Sequence, residues 1–190
     1  MRIIAGKYGG LRIKAKVPTG VRPTADNVRE SIFGILSSRM DFEGVTVLDI
    51  CAGTGAMGFE AISRGAESIV FIEKSKKVSD FIKIAAETFK ISPNKYNIIN
   101  ADALTALKRI DLGSSVQFDI IFFDPPYESE IYNPVIDLIN KRKVLKSDGI
   151  FIVESSVKYA LNLADSFKID IEKKYGEKKA SFLISADFAT

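Results

Sequence analysis

Histidine is absent from all 190 residues, and cysteine occurs once. The first absence removes imidazole as a general acid or base and with it the commonest ligand of transition metals, so no metal is expected. The second leaves Cys51 without an internal partner, and no disulfide can brace the chain. With no base to activate it, Cys51 reads as a small buried residue and not as a covalent nucleophile. Signal-peptide features and apolar runs long enough to span a bilayer are also missing, and the expected compartment is a reducing cytoplasm. A chain of this length suits a single domain, 1–190, able to bury a core without disulfides or metals. No repeat, low-complexity tract or second domain is visible. Any chemistry must therefore rest on positioning.

The residues that could do the positioning stand at the end of an apolar run, Phe118-Asp119-Ile120-Ile121-Phe122-Phe123. There Asp124-Pro125-Pro126-Tyr127 is suited to holding a planar amino group. The Asp124 carboxylate can accept one N–H and the Pro125 carbonyl another, while successive prolines fix φ and keep both acceptors aimed. The Tyr127 ring can stack on the base or amide that carries the amine. A strand ending in such a loop presents it at the carboxyl edge of a sheet, where open α/β folds bind ligands.

Upstream, Val45 to Gly58 reads as a buried strand, a glycine-rich turn and the first turn of a helix. Gly53 and Gly55 let the backbone approach a ligand closely. The spacing Gly53-x-Gly55-x-x-Gly58, with Glu73 at the end of the next apolar strand, fits a ribose-binding fingerprint shared by NAD and S-adenosylmethionine sites. Asp49 separates the two. A carboxylate just before the turn would repel a pyrophosphate but attract a sulfonium and an ammonium.

Apolar runs and helical periods alternate along the chain: helix to Arg64, strand 68–72, helix 75–89, strand 97–100, helix 103–109, strand before Asp124, helix 131–142 and strand 149–154. Such alternation implies a mostly parallel sheet with helices on both faces. The first helix is expected to start near Asp26, capped by Thr24 or Asp26, with Val28, Ile32, Phe33, Ile35 and Leu36 facing the core. Two last strands, 167–173 and 181–186, follow without a long helix between them. Lys141-Arg142-Lys143 reads as a solvated helix end complementing the helix dipole.

Net charge is only +3, but Arg2, Lys7, Arg12, Lys14, Lys16 and Arg22 all precede the first acidic residue, Asp26. Residues 2–14 read as a short β-hairpin with glycines at its turn, an appendage joined by 17–23 to the first helix. A basic hairpin beside an active site is suited to gripping RNA phosphates.

Taken together, Arg22-Pro23-Thr24-Ala25-Asp26-Asn27-Val28-Arg29-Glu30, the segment from Asp49 through Gly58 to Ala66, Asp124 to Tyr127 and Tyr175-Gly176-Glu177 resemble a family. It is that of the RsmD-type class I S-adenosylmethionine-dependent methyltransferases, which methylate the exocyclic N2 of a guanine in 16S ribosomal RNA. The likeness runs to about Phe182; Cys51 departs from an aromatic residue in many relatives, and the last strand ends in Phe188-Ala189-Thr190 without a basic tail. It implies a Rossmann-like α/β fold whose seven-stranded sheet has a reversed last strand. It also implies that Asp49, Gly53, Gly55 and Glu73 hold the cofactor. Asp102 would accept the adenine amino group beside the backbone of Ala103, Lys74 would lie along the adenine, and Arg22 and Thr24 would approach the methyl donor. Ribosomal RNA, free or in the small subunit, is the implied partner, with no membrane, and a monomer is expected. Adenine N6 in RNA or DNA and glutamine N5 in protein are alternative amines, usually met by Asn at the first loop position. An NAD(P)-dependent oxidoreductase would leave Asp49 and Asp124 to Tyr127 without a role.

Overall fold

The computed structural model describes residues 1–15, 17–20, 24–109, 117–126, 129–163 and 165–187. Its strands are β1 (Thr46–Ile50), β2 (Ser68–Ile72), β3 (Tyr96–Ile99), β4 (Phe118–Phe123), β5 (Leu145–Ser156), β6 (Phe167–Tyr175) and β7 (Lys178–Ser185). They form one sheet in the order β3-β2-β1-β4-β5-β7-β6. Neighbours from β3 to β5 pair in parallel, whereas β7 is antiparallel to β5 and to β6. Connection length dictates this difference. A parallel step needs a crossover, supplied by α2 (Ala56–Arg64), α3 (Lys76–Thr88), α4 (Ala103–Arg109) and α5 (Tyr132–Lys141). Only Gly176 and Glu177 separate β6 from β7, with Gly176 at φ 64°, so that pair must be antiparallel.

The central strands are apolar at nearly every position because both sheet faces are covered. In β4, Ile120 and Phe122 enter the core cluster that includes α1 (Asp26–Ser37), α2 and α3, whereas Ile121 and Phe123 enter the one beneath α4 and α5. The mostly parallel seven-stranded sheet with one reversed strand, expected from the sequence, is thus formed.

Three local expectations need correction. β5 begins at Leu145 and not at Gly149, because Leu145 pairs with Phe118 before a register shift. The residue before α1 is Ala25, with no side-chain cap, and Asp26 instead bonds the guanidinium groups of Arg2 and Arg29. Ile35 is half-buried, whereas Arg29 is 1% exposed and takes a place on the inner face of α1.

The N-terminal hairpin is formed around an Arg2–Arg12 bridge, with Ile3 N–H donating to the Leu11 carbonyl at 3.0 Å. Ile3 and Ile13 both belong to the main core cluster, so the hairpin is packed onto the domain. Its seam with α2 is polar and buried. Ile4 N–H and Ala5 N–H donate to the Glu60 carboxylate at 2.7 and 3.1 Å, and Arg64 Nε donates to it at 2.9 Å. Arg29 Nε lies 3.8 Å from the same carboxylate, while another nitrogen of Arg29 donates to the Arg2 carbonyl at 2.6 Å. Gly6 lies against α2 with φ 79°, and a Cβ there would meet the Ser63 carbonyl oxygen at 1.9 Å, so only glycine fits.

Candidate active site

A cavity of about 720 Å³ opens at the carboxyl ends of β1, β2, β4 and β5, within the roughly 300–1,000 Å³ common for small-molecule sites. β1 and β4 are adjacent, and from there consecutive strands lead away in opposite directions, which leaves a crevice at this edge. Asp49, Gly53, Glu73, Lys74, Asp102, Ala103 and Thr24 line it on the side of β1 to β3 and α1, and Asp124, Pro125 and Pro126 line it from the end of β4. Gly55 stands one step back as the residue before α2. Tyr127 and Arg22 lie outside the described residues.

The turn from β1 to α2 holds its shape by left-handed backbone. Cys51, Gly53 and Gly55 have φ of 61°, 53° and 73°. The turn is tied to the acids around it. Gly58 N–H donates to Asp49 Oδ2 at 3.2 Å, and Gly53 N–H donates to Glu73 Oε2 at 3.1 Å. The other Glu73 oxygen accepts from Ser75 N–H at 2.8 Å, so this carboxylate is held in a single orientation. Asn100 donates its side-chain amide to the carbonyls of Glu73 and Lys74, fixing the neighbouring edge. Asp102 is exposed at the rim, and its Oδ1 accepts from Thr105 N–H at 2.9 Å, capping α4. The Thr105 hydroxyl first, and then its amide, hold the Asp102 carboxyl below the usual range.

The sequence reading missed Glu154 and Lys178. Glu154 closes the apolar run of β5 and lies 5% exposed in the cavity wall. The signal was available, because an acid ending a buried parallel strand is the pattern that singled out Glu73 and Asp124. Tyr132 supports it from behind, donating its hydroxyl to the Glu154 carbonyl at 3.2 Å. Lys178, at the start of β7, places its Nζ 3.9 Å from Asp124 Oδ1 and 3.9 Å from Glu154 Oε2.

Crowding of acids shapes the electrostatics. Burial pushes the Asp49 carboxyl well above its ordinary range against the pull of the Gly58 amide, and Asp124 and Glu73 add to the rise. Glu154 is raised well above its usual value by burial, then by Asp124 and Asp49. Asp124 is also raised by burial, with Lys178 acting in opposition. The Cys51 thiol is pushed up to about 12 by burial and by the carboxylates of Glu73, Asp49 and Asp124. A thiol so far from ionisation is no nucleophile. A cation entering the cavity would relieve the crowded acids.

Among the basic residues of the hairpin, Arg12 and Lys14 are exposed. Arg2 is paired with Asp26 at 2.9 Å, and Lys7 lies over the Tyr8 ring at 5.6 Å. Lys16 falls outside the described residues. Among the described residues, no helix is long and apolar enough to cross a membrane.

Comparison with known proteins agrees with this architecture. The family described as conserved hypothetical protein 95 matches residues 1–184. Ribosomal RNA small subunit methyltransferase D of Haemophilus influenzae is 32% identical over 176 residues, covering 93% of this chain and 89% of the relative. Putative rRNA methyltransferase YlbH of Bacillus subtilis is 34% identical, over 81% of this chain and 82% of its own. The structure of putative methyltransferase yhhF from Escherichia coli superposes with a TM-score of 0.85 at 28% identity, covering 97% of both chains. With a match along nearly its whole length and relatives above 30% identity, the chain belongs to the conserved hypothetical protein 95 family, among the RsmD-type methyltransferases.

Proposed function

We propose that this protein transfers a methyl group from S-adenosylmethionine to the exocyclic N2 of a guanine in 16S ribosomal RNA. The observation that carries the reading is the convergence of Asp49, Glu73, Asp124 and Glu154 on one cavity, with Asp124-Pro125-Pro126 at its edge. The donor set suits the cofactor. Asp49 and Glu154 are buried acids that a cation would favour in their ionised form, and Glu73 is held in place where it can meet ribose hydroxyls. Asp102, Ala103 and Lys74 line the part of the cavity expected to take the adenine, and Thr24 the approach to the methyl donor. Bound S-adenosylmethionine supplies an electrophilic methyl group on a sulfonium.

The chain's residues then act on the amine. Guanine N2 shares its lone pair with the ring and is a poor nucleophile. By accepting its two N–H groups, Asp124 and the Pro125 carbonyl draw that pair back onto nitrogen and hold it in position. The Asp124 carboxylate stabilises the positive charge that grows on nitrogen during transfer, and once the methyl group is on nitrogen the N–H that it holds gives up its proton through this carboxylate to solvent. Confinement of both reactants in one cavity supplies much of the remaining acceleration. Tyr127 would stack on the unstacked base, which an unpaired ribosomal loop releases at small cost. Arg12 and Lys14, with Lys7, Lys16 and Arg2, would grip phosphates from the hairpin. The protein would act as a monomer in the cytoplasm, and no step calls for a metal.

The test is transfer of radiolabelled methyl from S-adenosylmethionine to 30S particles, free 16S RNA, DNA and release-factor protein, with nucleoside analysis of the product. N2-methylguanine in ribosomal RNA is the expected product. Asp124→Ala should lose at least about 100-fold in transfer rate while S-adenosylmethionine affinity stays within a few-fold. Label in N6-methyladenine or methylglutamine would overturn the substrate assignment, and an active Asp124→Ala enzyme would overturn the role of the loop.

A further inference from the structure

Lys178 brings a positive charge beside Asp124 and Glu154 in a cavity rich in acids, and methyl transfer as described gives it no task. Its backbone is set by three elements. It pairs with Ser156 across β5 and with Tyr175 across β6. Val157 N–H donates to the Glu177 carbonyl at 2.9 Å, tying the β6–β7 turn to the end of β5, and the Tyr175 hydroxyl donates to Ser31 Oγ on α1 at 2.9 Å. The tight turn therefore delivers the side chain to the cavity wall, where it is 26% exposed and equidistant from Asp124 and Glu154.

We propose that Lys178 is a positioning residue for methyl transfer, keeping Asp124 in the carboxylate form that can accept an amine N–H. The proposal rests on Asp124 being the amine acceptor. The groups that bear on Asp124 are Asp49 in β1 and Cys51 just after it, Glu154 in β5, Tyr132 in α5 and Lys178 in β7, and Glu73 and Lys74 after β2 line the same cavity. Lys178 is the cation that lies within ion-pair distance of Asp124 among the described residues, and its effect opposes the burial of Asp124. A protonated Asp124 would be a weaker, uncharged acceptor that could no longer stabilise the positive charge growing on the amine nitrogen. Between the two acids that share the ammonium, Glu154 is the more buried, with a side chain 6% exposed against 30% for Asp124. A proton kept by the pair therefore rests on Glu154, and Asp124 is left charged.

The test compares wild type with Lys178→Met, Lys178→Gln and Lys178→Arg. In methyl transfer to 30S particles, kcat of the two uncharged variants should fall about tenfold at pH 6 and recover to within about twofold at pH 8.5. Lys178→Arg should follow the wild-type profile. A lysine that merely shaped the turn would lower kcat by one factor at every pH, and that result would overturn the proposal. The second readout needs no RNA: a 13C NMR titration of the Asp124 carboxyl, assigned through Asp124→Asn. It should move to higher pH in Lys178→Met and Lys178→Gln and stay in place in Lys178→Arg. An unmoved titration would refute the role of Lys178. A moved titration with no methyl transfer in any variant, wild type included, would instead refute the 30S assignment while leaving the lysine's role intact.

Discussion

Two places in this molecule bury carboxylates, and they treat them in opposite ways. At the seam between hairpin and α2, Glu60 is fully buried yet receives two backbone N–H groups and Arg64, with Arg29 close by. At the cavity, the described partners of Asp49 and Glu154 are far fewer: one amide for Asp49, and Lys178 at the outer limit of ion pairing for Glu154. Burial alone does not distinguish a structural acid from a functional one. What distinguishes them is how far the protein has supplied their counter-charges and donors. A saturated carboxylate fastens two pieces of chain together, and an unsaturated one would be favoured in its charged form by a cationic ligand.

The sharpest way to break this contrast is Glu60→Ala, which leaves buried Arg29 without one of its two carboxylates, Arg64 without its partner and two hairpin amides without acceptors. A loss of about 3–5 kcal/mol is expected in denaturant unfolding, with early exchange of the Ile4 and Ala5 amides. A loss below about 1 kcal/mol would show that the seam is not saturated in the sense argued. Next comes Asp49→Asn, which keeps an acceptor for Gly58 N–H but removes the charge. Calorimetry should find S-adenosylmethionine affinity down by about 10- to 100-fold, equivalent to about 1.4–2.8 kcal/mol, with stability unchanged or improved.

The pH dependence has a definite sign. Asp49 and Glu154 have raised values in the folded protein, so they favour folding below their unfolded pKa, and that contribution is lost as pH rises through the folded values. Glu154→Gln has no such term, so its thermal stability should gain on wild type from about pH 4.5 upward. For the same reason a cationic ligand must displace protons. The affinity ratio of S-adenosylmethionine to S-adenosylhomocysteine should rise with pH by at most about tenfold per unit, and a flat ratio would deny the cavity its unsatisfied charge. Smallest of all, Arg12→Ala and Lys14→Ala should each weaken RNA binding a few-fold and reduce the salt slope by about one, measured by filter binding. Neither should alter unfolding, because both side chains are exposed.

The same contrast explains what could be read from the sequence. Asp49, the glycine turn, Glu73 and Asp124-Pro125-Pro126 were legible because each is a local pattern at the end of an apolar run. Glu154 obeys that rule and was within reach. Lys178 was not, since its place depends on the register of β7 against β5, which nothing local encodes. Arg29 and Glu60 were hidden for another reason. Amphipathic patterning assigns charges to the outer face of a helix, and only contact with the hairpin, 27 residues from Arg29 and 55 from Glu60 in the chain, allows these to turn inward. Asp26 shows the converse, since a residue type suited to capping was drawn instead into ion pairs with Arg2 and Arg29.

The Gly6 contact with Ser63 fixes more than a turn. α2 carries the hairpin on Glu60 and Ser63 and meets the Asp49 carboxylate through the amide of Gly58. From Gly58 to Ser63 the helix rises about 7.5 Å, and it would serve as a rigid ruler between the hairpin and the cavity. An RNA held by Arg12 and Lys14 would be offered to Asp124 at one set offset along its backbone. Selection of the nucleotide would then be partly a matter of measured length, independent of the identity of its neighbours.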